Sequence, residues 1–228
     1  MQLTNHAKCS HRDKELFRLL ESQGALNTDQ VKLLLFPDNV LRIVQRRLKK
    51  LTDRKAIKRA RISLDEPNYY YMDSKPGQLE HVLGVSWIYV WITSTLNSME
   101  RLHCFDREVK DYKLVRPDAF VGIKNLWKNS LSFYFVELDI DESGNDFAIK
   151  VRRYNDLYAS ETYMKMWWVP LSKRFPPIIV VTTGRTKKLQ EKIQKENVHD
   201  LEFRVYSLDQ VKEECLNGRT GAGSIRTR

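Results

Sequence analysis

Between Phe135 and Asp141 the chain reads Phe-Val-Glu-Leu-Asp-Ile-Asp, an alternation of apolar and acidic residues. Successive side chains of a strand point to opposite faces, so Glu137, Asp139 and Asp141 share one face and Val136, Leu138 and Ile140 share the other. The apolar side asks for a core. The acidic side is costly at the centre of an apolar strand unless its carboxylates are paired or bound to a cation. Arg116-Pro117-Asp118 opens the extended run before it and supplies another acid. Oxygen ligands on adjacent strands suit a hard cation such as Mg²⁺, which can activate water for attack on a phosphodiester. Asp118, Glu137 and Asp139 are the candidate metal ligands on this reading.

The surrounding sequence supplies a sheet with helices packed on it. Extended runs fall at Arg101–Glu108, Leu114–Ile123 and Leu131–Ile140, followed by a helix at Phe147–Tyr158 and a strand at Pro177–Thr183. A charged helix, Thr186–Lys195, leads to a last strand at Glu202–Ser207. The order is β-β-β-α-β-α-β, and the class is α+β. Ahead of it, Gln78–Leu96 reads as a long helix with apolar residues on more than one stripe, a linker, a dimerisation helix or a helix buried in one core. The tail, residues 217–228, holds three glycines and three arginines and reads as a disordered basic segment.

The first third is a different object. The chain has 228 residues and a formal net charge of +10, and its length admits one large domain or two small ones. Positive charge concentrates between positions 42 and 61, where Asp53 is the single acid. A disordered tail would not need the periodic apolar residues interleaved there. Asp13–Gln23 has Leu16, Leu19 and Leu20 at helical spacing, with Gly24 as a stop. Thr28 can cap a short helix, Asp29–Phe36, that ends before Pro37, and Asp38 can cap another running to about Thr52. In that third helix Leu41, Val44, Leu48 and Leu51 form one stripe, while Asn39, Arg42, Arg46, Lys49 and Lys50 point the opposite way. An apolar back with a face of Arg and Asn is the shape of a major-groove reader.

A hairpin follows. Lys55–Ser63 is a basic extended run, Asp65-Glu66-Pro67-Asn68 a turn cluster, and Tyr69–Met72 a strand of high β-propensity. Three helices and a basic two-stranded wing make a winged helix-turn-helix. Arg54, Lys55, Lys58, Arg59 and Arg61 would carry the wing to the phosphate backbone or the minor groove of double-stranded DNA; a merely solubilising surface is the alternative. The tyrosines read as packing for the wing. The expected domains are residues 1–76 for the winged helix and 77–216 for the sheet, with 217–228 as tail.

Several classes are excluded or unsupported. No window approaches the ~20 apolar residues of a membrane-spanning helix, and residues 1–12 lack a signal-peptide core. Cys9, Cys104 and Cys215 lie far apart with no Cys-x-x-Cys pair, which fits a cytoplasmic protein. His6, Cys9 and His11 could be zinc ligands but lack a clear fourth, so a frayed arm is preferred. Trp167, Trp168, Pro176, Pro177, His103 and His199 carry no assigned chemistry. A two-fold homodimer on a palindrome is common for such DNA-binding units.

Two resemblances extend this reading. The run Thr28-Asp29-Gln30 with Leu34-Leu35-Phe36-Pro37, the Arg-rich helix, the Tyr69-Tyr70-Tyr71 wing and His81-Val82-Leu83-Gly84-Val85 resemble the plasmid replication-relaxation family. So do Arg116-Pro117-Asp118-Ala119-Phe120, Phe135-Val136-Glu137-Leu138-Asp139, Lys150 and Tyr154, in that order, so the likeness spans roughly residues 10–185. It implies a role in plasmid replication, copy-number control or mobilisation. The second half also resembles the restriction-endonuclease-like fold, with Pro117-Asp118 and Glu137 at its two acidic positions. Its lysine, two residues after the second acid, is replaced here by Asp139, and Lys150 could stand in from the helix or simply neutralise Glu137 or Asp139. On the family's pattern Lys150 and Tyr154 are one turn apart and could both reach the strand. Three functions follow: a DNA-binding replication regulator, favoured; a winged-helix repressor; and a Mg²⁺-dependent endonuclease using Asp118, Glu137, Asp139 and Lys150.

Overall fold

The computed structural model describes residues 10–140, 146–172 and 174–217. The possible ligands His6 and Cys9, the acid Asp141 and the tail from residue 218 lie outside them. The chain divides into two compact units, Met1–Val90 and Trp91–Arg228. Its class is mixed α+β, with a five-stranded mixed sheet and a small antiparallel one. Among the described residues no helix is long and apolar enough to cross a membrane.

The N-terminal unit begins with α1 (His11–Gln23), capped by Ser10 rather than started at Asp13. The Ser10 hydroxyl accepts from the Asp13 amide, and the Asp13 carboxylate accepts from the Ser10 amide at 2.6 Å, satisfying two otherwise orphaned donors. Gly24 ends the helix at φ +77°, a conformation open to glycine. Next come β1 (Leu26–Asn27) and α2 (Thr28–Leu35). Asn27, not Thr28, is the cap of α2. Its Oδ1 accepts from the Gln30 amide at 2.9 Å, while the Thr28 hydroxyl turns away to donate to the Asn68 carbonyl.

Helix α3 (Leu41–Asp53) starts later than the Asp38 cap implies, at Val40, which makes no side-chain capping bond. Asn39 therefore lies in the turn before α3, its amide donating to the Phe36 carbonyl at 3.0 Å. Only Val44, Leu48 and Leu51 of the expected stripe are buried; Leu41 is 40% exposed at the helix end. The C-terminus of α3 closes by Ala56 N to Leu51 O and Lys55 N to Thr52 O, the paired bonds of a Schellman turn. Lys55 sits in the left-handed position of that turn, φ +58°, and so belongs to the helix end rather than to the extended run.

That run shortens to β2 (Lys58–Ala60), which pairs antiparallel with β3 (Tyr69–Tyr71), Arg59 opposite Tyr70. Arg61 falls just past β2, bonded to Asn68 and Leu64 in the connecting loop. Strand β1 completes the sheet in the order β1-β3-β2. Tyr69 and Tyr70 are buried, packing residues as their β-propensity suggested. Helix α4 (Leu79–Thr95) contains the boundary between units, well past residue 76. Its first half belongs to the N-terminal unit because Gln30 Nε2 donates to the Leu83 carbonyl and Ser86 Oγ to the Ala25 carbonyl, both at 2.9 Å. Gly84 through Ile92 is buried without interruption.

The C-terminal unit is built on β4 (Glu100–Arg107), β5 (Ala119–Asn125), β6 (Ser130–Asp139), β7 (Ile178–Thr182) and β8 (Phe203–Ser207), hydrogen-bonded in that order. The first three strands are antiparallel, and β6, β7 and β8 run parallel, joined by α5 (Phe147–Ala159) and α6 (Thr186–Glu196). Residues 114–118, expected to be strand, precede β5. A last helix, α7 (Leu208–Asn217), follows β8 directly; the Ser207 hydroxyl accepts from the Gln210 amide and Gln210 Oε1 accepts from the Ser207 amide, another capping box. Phe120, Phe133, Phe135, Ile178 and Val180 line one sheet face under Val151, Tyr154, Leu157, Leu189 and Ile193 of α5 and α6.

Candidate functional site

Glu137 lies on β6 two residues beyond Phe135, on the face covered by α5, so the acidic side of this strand is an interior surface. Its side chain is 1% exposed. Lys150 and Tyr154, one turn apart on α5, both reach it. Lys150 Nζ donates to Glu137 Oε2 at 2.5 Å and Tyr154 Oη to Oε1 at 2.6 Å. Asp118, just before β5, accepts from the Leu138 amide at 2.7 Å and lies 3.7 Å from Lys150 Nζ. One ammonium thus serves two carboxylates.

Burial pushes the Glu137 carboxyl up, Lys150 opposes this, Asp118 adds to it, and the group stands at about 7. Burial alone would lower Lys150, but Glu137 and Asp118 outweigh it and hold the ammonium protonated. Tyr154 is fully buried beside Glu137, and both effects keep its phenol protonated. The cluster is a satisfied ionic network in a low-dielectric setting.

Asp139 is apart from this pair. It accepts from the Thr182 hydroxyl at 3.0 Å and edges a small cleft of about 50 Å³ with Gly184, Arg185, Lys188 and Lys192. Lys192 is engaged by Asp146 at 2.8 Å. Sequence reasoning missed this cleft, because strand β7 and helix α6 carry no pattern linking them to Asp139.

The expected ligands Asp118, Glu137 and Asp139 do not combine into a cation site. Both oxygens of Glu137 are held by Lys150 and Tyr154, one oxygen of Asp118 by Leu138, and Asp139 by Thr182. No group of three or more His, Cys, Asp or Glu able to hold a metal occurs among the described residues. A divalent ion prefers several open oxygens, and this arrangement does not present them.

In the N-terminal unit, Arg42, Arg46, Lys49 and Lys50 are exposed on α3, and Arg54, Lys55, Lys58, Arg59 and Arg61 follow, also exposed. Lys49 pairs with Asp53 at 2.7 Å, and Lys58 donates to the Asp73 carbonyl. Arg47, from the same run, turns inward instead. Its guanidinium binds the buried Asp13 carboxylate with both nitrogens, Nε at 2.7 Å. Burial would raise Asp13, but bonds from Arg47 and Ser10 bring it below the ordinary range. This pair fixes α3 on α1; thirty-four residues separate its partners, and no local pattern announces it.

In comparisons with family models, curated proteins and solved structures, nothing matches the chain.

Proposed function

We propose that this is a DNA-binding protein in which the N-terminal unit is a winged helix-turn-helix and the C-terminal unit a nuclease-like sheet that does not cleave. The observation that carries the reading is the exposure of Arg42, Arg46, Lys49, Lys50, Arg54, Lys55, Lys58, Arg59 and Arg61 along α3 and into the hairpin. Exposed cations that release counterions from phosphates supply most of the affinity for duplex DNA. The order α1-β1-α2-α3-β2-β3 supports α3 as the recognition helix and the β2–β3 hairpin as the wing. The engagement of Glu137 by Lys150 and Tyr154 supports a structural rather than catalytic role for the acids. A role in plasmid replication, copy-number control or mobilisation rests on the resemblance to the replication-relaxation family.

The test is incubation of the purified protein with supercoiled plasmid, with and without Mg²⁺. Retarded migration that salt abolishes, without nicking, is the expected result. Metal-dependent nicking that Glu137→Ala removes would overturn the non-catalytic role, and unretarded DNA would overturn DNA binding.

A further inference from the structure

Two kinds of apolar residue occupy α3. Val44, Leu48 and Leu51 are buried, whereas Val40, Leu41 and Ile43 are 66%, 40% and 44% exposed. At about 100° per residue, Leu41 leans towards the buried stripe, while Ile43 lies on the outer side, about 60° from Arg46. Val40 occupies the N-cap without a side-chain capping bond, where Ser, Thr, Asp or Asn would stabilise the helix. Its carbonyl accepts from the Ile43 amide at 3.0 Å, which holds the two branched side chains on one turn. On the same projection Arg46 and Arg42 lie on one side of Ile43, about 60° and about 100° away, and Val40 lies about 60° away on the other side.

Phosphate contacts draw on charged and hydrogen-bonding groups, to which an exposed valine or isoleucine adds nothing. The major groove offers both chemistries. Guanine presents two acceptors to arginine, and thymine presents its C5 methyl group to an apolar side chain. The positive charge of Arg46 and Arg42 on one side of Ile43 suits this occupant and opposes burial of the patch against another basic copy of the chain. Resting on the DNA-binding reading above, we propose that Val40 and Ile43 contact thymine methyl groups while Arg42 and Arg46 address guanine. The preferred site then carries thymine next to guanine.

The experiment selects a site from a randomised duplex pool with the full chain, then remakes that duplex with deoxyuridine in place of thymidine. The exchange deletes the methyl group and keeps every base-pairing atom. Affinity should fall about fourfold for each methyl contacted. Ile43→Ala should weaken the thymidine duplex by a similar factor and narrow the difference between duplexes, with an unchanged melting temperature because Ile43 is exposed. Equal affinity for the two duplexes overturns the inference while leaving DNA binding intact. Salt-sensitive retention from which no sequence enriches overturns it as well, since such a surface reads no base. A pool that is not retained overturns the DNA-binding reading and the inference together.

Discussion

Lysine and arginine appear in this molecule in two opposite settings. On α3 and the hairpin they face water, with few carboxylates beside them; on α5, Lys150 is held between Glu137 and Asp118. Exposed charges are available to a polyanion, because binding exchanges their counterions and costs little desolvation. Lys150, although 36% exposed, is already engaged by two acids, so freeing it would strand the buried Glu137 carboxylate. Charge density alone does not identify a binding surface; engagement does. Arg47 makes the point within one helix, since it belongs to the basic run and yet is a structural residue.

The sharpest way to break this contrast is Glu137→Ala. If the cluster is structural, the variant loses about 3 kcal/mol of stability in denaturant titration, with DNA retention unchanged below its melting point. A fully stable variant that fails to bind would move the cluster to the functional side. The same group predicts a pH dependence. Its carboxyl, ordinarily near 4.5 when unfolded, stands at about 7 when folded, so the folded state binds more protons between those values. Its contribution is greatest below about 4.5 and declines as pH rises through about 7. E137Q should flatten that part of the stability profile; an unaltered profile would remove Glu137 as its source.

On the other side of the contrast, Arg42→Ala combined with Arg46→Ala should weaken specific DNA binding by about 1–3 kcal/mol for each arginine that reads a base, with unchanged melting. Unaltered affinity would exclude the outer face of α3 as the reader. Lys58→Ala and Arg59→Ala should instead weaken binding to all sequences and lower the slope of log affinity against log salt by about 1 each. A parent-like slope would detach the hairpin from the phosphates. The smallest effect concerns Lys55, held at φ +58°. Lys55→Gly should raise stability by up to about 1 kcal/mol by relieving the left-handed backbone, measured by thermal unfolding.

Much of this was readable from periodicity. The apolar stripe of α3 survives in the structure except for the exposed Leu41, and the alternation around Glu137 survives too; the pairing of Lys150 with Tyr154 is implied by the family resemblance, not by periodicity. What escaped depends on partners far along the chain or on competition at helix ends. Strand β1 is two residues long and exists because Tyr69 and Tyr70 pair with it. Asn27 takes the cap from Thr28 because the Thr28 hydroxyl has another acceptor, and α3 begins at an uncapped valine that no propensity rule selects. Helix α7 is different: Ser207 and Gln210 stand at capping-box spacing, a signal already in the sequence. The closure of the Glu137 oxygens was also hidden, since alternation says which face an acid takes but not whether a helix covers it.

The change of strand direction at β6 has a kinetic consequence. Strands β4, β5 and β6 pair between neighbours in sequence, whereas β7 and β8 join only after intervening helices have formed, at higher loop-closure cost. Contact order thus predicts the antiparallel part as the early assembly, with Glu137 hydrated at its open edge. On that order, dehydration of the acid falls in the step in which α5 and β7 dock, and Lys150 comes with α5. Substitutions at Glu137 should therefore accelerate unfolding far more than they slow folding, and a chevron whose folding limb moves instead would place the acid in the nucleus.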